Sequence, residues 1–234
     1  MFVVAALATV IGAMIQGSIG FGMNLVTVPA LALVLPEALP VAVIILGIPI
    51  SLSMLRYEHD AVDRAGIAWI IVGRVPGTIC GVAVVAIVST RVLQGVVGVV
   101  VLTLVAASML MPPIQVSTRT QLAAGWASGL TGTAAGIGGP PLALLYQHHA
   151  GAIVRSTLAA SFLFGTFLSV AGLALAGQVS SGQALLGAGL SPLAIAGSIA
   201  GRRFHSWLDR GWLRPLVLAF VSVAAAMAVA DALM

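Results

Sequence analysis

Two glycine-rich stretches carry hydrogen-bonding side chains into sequence that is otherwise apolar. The first runs Gln16-Gly17-Ser18-Ile19-Gly20-Phe21-Gly22-Met23-Asn24 and continues to Pro29. The second runs Ser128-Gly129-Leu130-Thr131-Gly132-Thr133-Ala134-Ala135-Gly136 and continues to Pro141. Gly17 and Gly129, Gly20 and Gly132, and Pro29 and Pro141 each lie 112 residues apart. Glycine and proline weaken helices and free backbone N–H and C=O groups. Inside a bilayer such groups are tolerated only where they are buried in protein or line a cavity. Two helix N-termini meeting there would each present unpaired N–H groups and about half a positive charge, which suits an anion and, on this reading, requires no buried arginine. Ser18, Asn24, Ser128, Thr131, Thr133 and Gln16 add side-chain donors. The expected solute-binding set is Gly17, Ser18, Gly20, Gly22, Asn24, Ser128, Gly129, Thr131, Gly132 and Gly136. No acidic residue lies within a predicted span except near an end, so neither a carboxylate cage for a metal ion nor a cofactor is expected. The competing reading makes these glycines packing surfaces and bonds the hydroxyls back to their own helices.

The elements that must hold such a site are membrane helices. Of 234 residues, 60% are hydrophobic and 7% charged, against about 25% charged in a soluble domain. The mean hydropathy is +1.16, and no stretch is polar enough for a separate soluble domain. The positive residues are all arginines, placed singly or in pairs. Phosphate recognition needs a basic face, so nucleic acid is not an expected partner; the lipid bilayer is. The first arginine is Arg56, so no basic region precedes the first apolar run and that helix is read as retained. A single cysteine, Cys80, forms no internal disulfide.

The long apolar runs predict an all-α polytopic fold. Segments are expected at 2–15, 25–35, 38–55, 65–88 and 92–111, then at 120–127, 137–147, 153–176, 184–207 and 212–232. Met111-Pro112-Pro113 divides one transmembrane domain into repeats 1–113 and 114–234. A second register supports the repeat: Gly77-Thr78-Ile79-Cys80-Gly81 lies 120 residues before Gly197-Ser198-Ile199-Ala200-Gly201, and Leu93, Val97, Val101 and Ala106 match Leu213, Val217, Val221 and Ala226. Each Gly-x-x-x-Gly puts two small residues on one helix face, where another backbone can approach. Cys80 is read as a small packing residue in the first of them.

Arginine placement sets the topology. If the two interrupted segments cross the membrane, the arginines divide almost evenly between its faces. If each dips in and returns, Arg56, Arg64, Arg119, Arg155, Arg202, Arg203 and Arg210 share one face with Arg74 and Arg214, leaving Arg91 opposite. Arg74 and Arg214 lie near predicted helix ends. Positive residues in short loops favour the cytoplasm, so the hairpin arrangement is preferred, with both termini outside. Each half then has a broken hairpin plus three crossings, and the halves are inverted repeats.

Other polar residues carry less. His148 and His149 read as interfacial, residues 56–64 as a solvated loop, and Trp126 as either an interfacial anchor or a cavity wall. Gly125-Trp126-Ala127-Ser128-Gly129 approaches the Gly-x-Ser-Gly nucleophile of intramembrane rhomboid proteases, but Trp126 occupies the glycine position and no mid-span histidine follows as base. An enzyme is not expected.

At these residues the chain resembles the TauE/SafE sulfite exporter family over nearly its whole length. Gly17-Ser18-Ile19-Gly20-Phe21-Gly22 up to Pro29 is similar to its first glycine-rich motif. Ser128 to Gly136 and Pro141 resembles the counterpart, and Gly73-Arg74-Val75-Pro76-Gly77 the motif of the third element. Ala134 and Ala135 stand where the family usually has glycines, with Gly138-Gly139-Pro140 following, which moves the break toward Gly136–Pro141 or narrows the pocket. The resemblance implies a multi-pass transporter in the cytoplasmic membrane for sulfite, thiosulfate, organosulfonates or related small anions. A scaffold binding another membrane protein and a carrier for a carboxylate or metal ion are the alternatives; a homo-oligomer is the candidate assembly.

Overall fold

The computed structural model describes residues 1–88 and 114–207, with Ala219 and Val223. The spans expected at 92–111 and 212–232 lie outside the described residues. Among the described residues every element is helical, as apolar sequence in lipid requires, because a helix pairs its own backbone polar groups. Five stretches are long and apolar enough to cross a membrane: Phe2–Ile19, Val41–Ala61, Arg64–Ile87, Gly151–Leu175 and Ser181–Phe204.

Helices α1 (Phe2–Ile19) and α2 (Met23–Val34) fold back on one another. Their antiparallel register is marked by the Thr27 hydroxyl, which donates to the Ala8 carbonyl at 3.5 Å, and by Gly12 lying against Met23. Helices α3 (Val41–Ile45) and α4 (Gly47–Glu58) form one span interrupted at Leu46. Pro49 there has no N–H for the carbonyl of Ile45. Helix α5 (Arg64–Ile87) begins at Asp63, whose carboxylate accepts the Gly66 N–H.

The described part of the second half also opens on a helical hairpin. Helix α6 (Thr118–Ala135) opens with a reciprocal Ser117–Thr120 cap and turns back into the short α7 (Gly139–Tyr146), which is buried along its whole length. Helices α8 (Gly151–Leu175) and α9 (Ser181–Gly201) follow, the latter capped by Ser180 and Gln183.

Small residues set the packing. Gly73 and Gly77 of α5 lie on the backbone of Leu122 and Trp126 in α6, and Gly125 answers against Ile70. Gly197 and Gly201 of α9 lie on the Val10 and Met14 carbonyls of α1. Each half's Gly-x-x-x-Gly helix therefore grips the interrupted helix of the other half, in the packing role expected for these glycines. Cys80 does not share it. It points outward among the exposed apolar residues of α5, because residues 77 and 81 face α6 and position 80 is turned away.

The polar segments gather at one end. The Arg202 guanidinium lies 3.3 Å from the Tyr57 ring centroid, Arg155 pairs with Glu58, the Asp63 N–H donates to the Thr157 hydroxyl, and Gln121 reaches Asp63. The opposite end is marked by Gln183, whose amide donates to the carbonyls of Glu37 and Leu39.

Candidate functional site

Both helix breaks are three residues long. Helix α1 runs through Gly17 and Ser18 and ends at Gly20 (φ 108°), and Gly22 (φ 117°) starts α2. Helix α6 runs through Ser128, Gly129, Thr131 and Gly132 and ends at Gly136 (φ 74°), with Gly138 starting α7. Only glycine adopts such left-handed geometry without strain. Gly20 and Gly136, 116 residues apart, are thus the matching positions. The 112-residue register from sequence is one helical turn out in the second half. Glycines such as Gly17 and Gly129 stay helical because each abuts a neighbouring backbone, at Ser198 and at Arg74 and Thr78 respectively.

The breaks enclose a cavity bounded by both hairpins and by α3–α4, α5 and α8. It offers about 60 Å³ to the centres of water-sized molecules, and one water needs about 10–15 Å³ on that measure, so it suits a small solute. Of the expected residues, Gly22, Asn24, Gly132 and Gly136 line it, together with Gln16. Gly17, Ser18, Gly20, Ser128, Gly129 and Thr131 do not. Ser18 donates to the carbonyls of Met14 and Gly201, and Thr131 to that of Ala127. Gly20 packs on the backbone of Arg155. These are bonds to helices and packing contacts, as in the competing reading.

Asn24 joins the two halves. Its amide donates to the Gly136 carbonyl at 2.6 Å, while its Oδ1 is buried without a partner. The helix termini give fewer donors than expected: the Met23 N–H is taken by Gln16 Oε1, and Pro140 and Pro141, early in α7, have none.

Positive charge is brought to the cavity lining by Arg74, although the reading of two helix N-termini needed no buried arginine. It lies ten residues into α5, about 15 Å from that helix's start at 1.5 Å per residue, and is 4% exposed. Its Nη1 donates to Ser128 Oγ at 2.9 Å and Ser161 Oγ at 3.0 Å. Ser128 in turn donates to the Gly138 carbonyl at 2.6 Å, tying the arginine to the second break. The guanidinium carbon lies 5.8 Å from the Phe162 ring centroid, and Nε is buried without a partner. Side chains at Gly165 and Gly132 would press on the guanidinium, so these glycines make its seat. Among the described residues no carboxylate pairs with Arg74. An ionisable residue in mid-span is costly and marks function by default; its depth within the apolar run after Arg64 was the signal available in the sequence.

Thr166 and Ser169 of α8 add hydroxyls to the lining, and Phe21, Met23 and Phe162 add apolar surface. His148 is exposed, His149 stands beside Tyr146 with ring centroids 5.1 Å apart, and Trp126 is exposed; none lines the cavity. Among the described residues no group of three His, Cys, Asp or Glu could hold a metal ion.

The family model described as "Sulfite exporter TauE/SafE" matches residues 4–228. No curated protein and no solved structure matches the chain.

Proposed function

Because the chain belongs to the sulfite exporter TauE/SafE family, we propose that it is a secondary transporter that binds a small sulfur oxyanion or organosulfonate at Arg74. The observation that carries this reading is the buried guanidinium, paired with no carboxylate among the described residues, in a small cavity between two helix breaks. Moving an isolated charge out of water is expensive, and an anion entering the cavity offsets that cost. The planar fork of an arginine matches an oxyanion with two parallel donors, and the Asn24 amide and the Thr166 and Ser169 hydroxyls stand in the same lining. Gly22, Gly132 and Gly136 bring backbone to the solute, while Gly17, Ser18, Gly20, Ser128, Gly129 and Thr131 hold the hairpins and Arg74 in place.

Residues 1–113 and 114–234 form two inverted repeats in the cytoplasmic membrane, with the arginine-bearing end cytoplasmic. A potential negative inside favours anion export by about 2.3 kcal/mol per charge at 100 mV. The test is flux in proteoliposomes challenged with sulfite, thiosulfate, taurine, sulfoacetate and acetate. Saturable movement of a sulfur anion that Arg74→Gln abolishes is the expected result. Movement of acetate alone sinks the sulfur assignment, and movement of none of the five overturns transport of these anions and favours a scaffold.

A further inference from the structure

We propose a second binding site, for a proton, at His205, which locks the tip of the first hairpin against the arginine-bearing end. This proposal concerns gating of the Arg74 cavity and so rests on the transport reading, but its site is separate. His205 Nε2 lies 2.6 Å from the carbonyl oxygen of Gly17, in the last turn of α1 before the break. Its Nδ1 lies 3.5 Å from Glu58 Oε1 at the end of α4. A carbonyl only accepts, so Nε2 carries a hydrogen. A neutral ring would then turn the Nδ1 lone pair toward a carboxylate. Only the imidazolium offers a hydrogen to the carbonyl and a positive charge to the carboxylate.

The surroundings sharpen the choice. Glu58 is also held by Arg155 of α8, whose Nη2 and Nε donate at 2.7, 3.0 and 3.2 Å. The Arg155 and Glu58 side chains are 2% and 17% exposed, so water screens the cluster weakly. Among the described residues of His205's own segment the other charges are Arg202, seated on the Tyr57 ring, and Arg203. Gly20, at the hairpin tip, packs directly on the Arg155 backbone. Glu58 therefore carries two cationic partners from two elements, both touching the hairpin tip. Loss of the proton removes one, and with it the charge-assisted link from α4 through His205 to α1. The protonated cluster keeps the tip seated and the cavity closed toward this end; the deprotonated cluster releases it.

The sign follows. Release of the anion toward the arginine-bearing face speeds up as pH on that face rises through the range in which histidines exchange protons, about pH 5 to 8. Two measurements test this. The first is nitrogen NMR of full-length protein in lipid, with labels in the His carbonyl and Ser nitrogen. His205-Ser206 is the only His–Ser pair in the chain, so its ring is assigned without a mutant. A His205 ring that is an imidazolium at the acid end of that range and loses its proton within it supports the site; a ring neutral throughout overturns it. The second is proteoliposome flux of radiolabelled thiosulfate, whose charge is constant over this range. Wild type should speed up several-fold with pH on the arginine-bearing face. His205→Gln, which keeps a donor for the Gly17 carbonyl, should flatten the profile while thiosulfate affinity is retained. An unchanged profile in His205→Gln overturns the gate and leaves transport standing. If wild-type protein moves no thiosulfate, or the variant does not fold, the NMR titration alone decides the proton site.

Discussion

Replacing Arg74 with glutamine separates binding from folding more cleanly than any other change. The substitution keeps a planar donor but removes the charge and one arm of the fork. Its cost to an anion has two sources. A unit charge about 4 Å away in a partly shielded site is worth about 4 kcal/mol, and about 1 in water. Each charge-assisted hydrogen bond contributes about 1.5–3 kcal/mol net. Taking about 2–4 kcal/mol for the whole loss, affinity should fall about 30-fold to 1,000-fold, at 1.4 kcal/mol per tenfold. Stability without anion should move the other way or not at all, because among the described residues no carboxylate partner is stranded when the guanidinium leaves; Ser128 keeps its bond to the Gly138 carbonyl. The assay is thermal unfolding in detergent with and without sulfite or thiosulfate. Wild type at 100 times the dissociation constant gains about 2.7 kcal/mol from the bound anion. Arg74→Gln should unfold at or above the unliganded wild-type temperature and gain about 0.9 kcal/mol or less at the same anion concentration. Arg74→Lys keeps the charge without the fork and should fall between them. An undiminished anion shift in Arg74→Gln would refute the reasoning and place the solute elsewhere.

Gly165→Ala presses a methyl against the Arg74 guanidinium; the displaced arginine should bind anion about tenfold more weakly, about 1.4 kcal/mol, with the unfolding temperature of the unliganded protein preserved. Gly136→Val forces a branched residue into a left-handed conformation worth about 1–2 kcal/mol of strain against Val43, and should abolish flux while membrane insertion, read by fractionation, persists. Gly20→Val adds to similar strain a clash with the Arg155 backbone, so it should lower thermal stability as well as flux; normal transport by both valine variants would make the breaks mere packing devices. With Cys80 replaced by alanine, a cysteine at the exposed Asp60 should resist a membrane-impermeant thiol reagent in intact cells, and ready labelling would reject the assigned orientation.

What the sequence made legible followed from bilayer physics. Apolar runs of the lengths seen at Arg64–Ile87 and Gly151–Leu175 can only be helices in lipid, and the Gly-x-x-x-Gly pairs at Gly77/Gly81 and Gly197/Gly201 declared their packing by spacing alone. The breaks were legible as regions but not as residues. Glycine type cannot distinguish Gly17, helical because Ser198 lies against it, from Gly20, which ends the helix at φ 108°; the difference lies in which neighbour arrives, and that is tertiary. Arg74 was misjudged for a related reason. Read as lying near a helix end, it joined a topology argument that stands without it, whereas its place ten residues inside an apolar run already set it apart from Arg64. His205 and Glu58 were invisible as a pair, being 147 residues apart in sequence (205 − 58), joined only when α4 and α9 reach the same end.

The joint between the halves explains why the proposed solute site draws on both breaks. One hairpin alone leaves its tip carbonyls without partners in lipid, a cost of several kcal/mol per group. Here each tip is completed by the other half. Asn24, just after the first break, satisfies the Gly136 carbonyl at the second, while Phe21 of the first packs on Gly139 of the second. Arg74 belongs to the first half yet is held by Ser128 and Ser161 of the second. A solute that engages the guanidinium competes with those serines, and Ser128 also donates to the Gly138 carbonyl, so the occupied cavity adjoins the second tip. At the first tip the Gly17 carbonyl answers to His205. In the proposed scheme solute and proton act on different hairpins, which the Asn24–Gly136 bond joins. Asn24→Ala should therefore weaken the dependence of flux on pH as well as flux itself, and transport that slows with its pH profile intact would show that the two tips move independently.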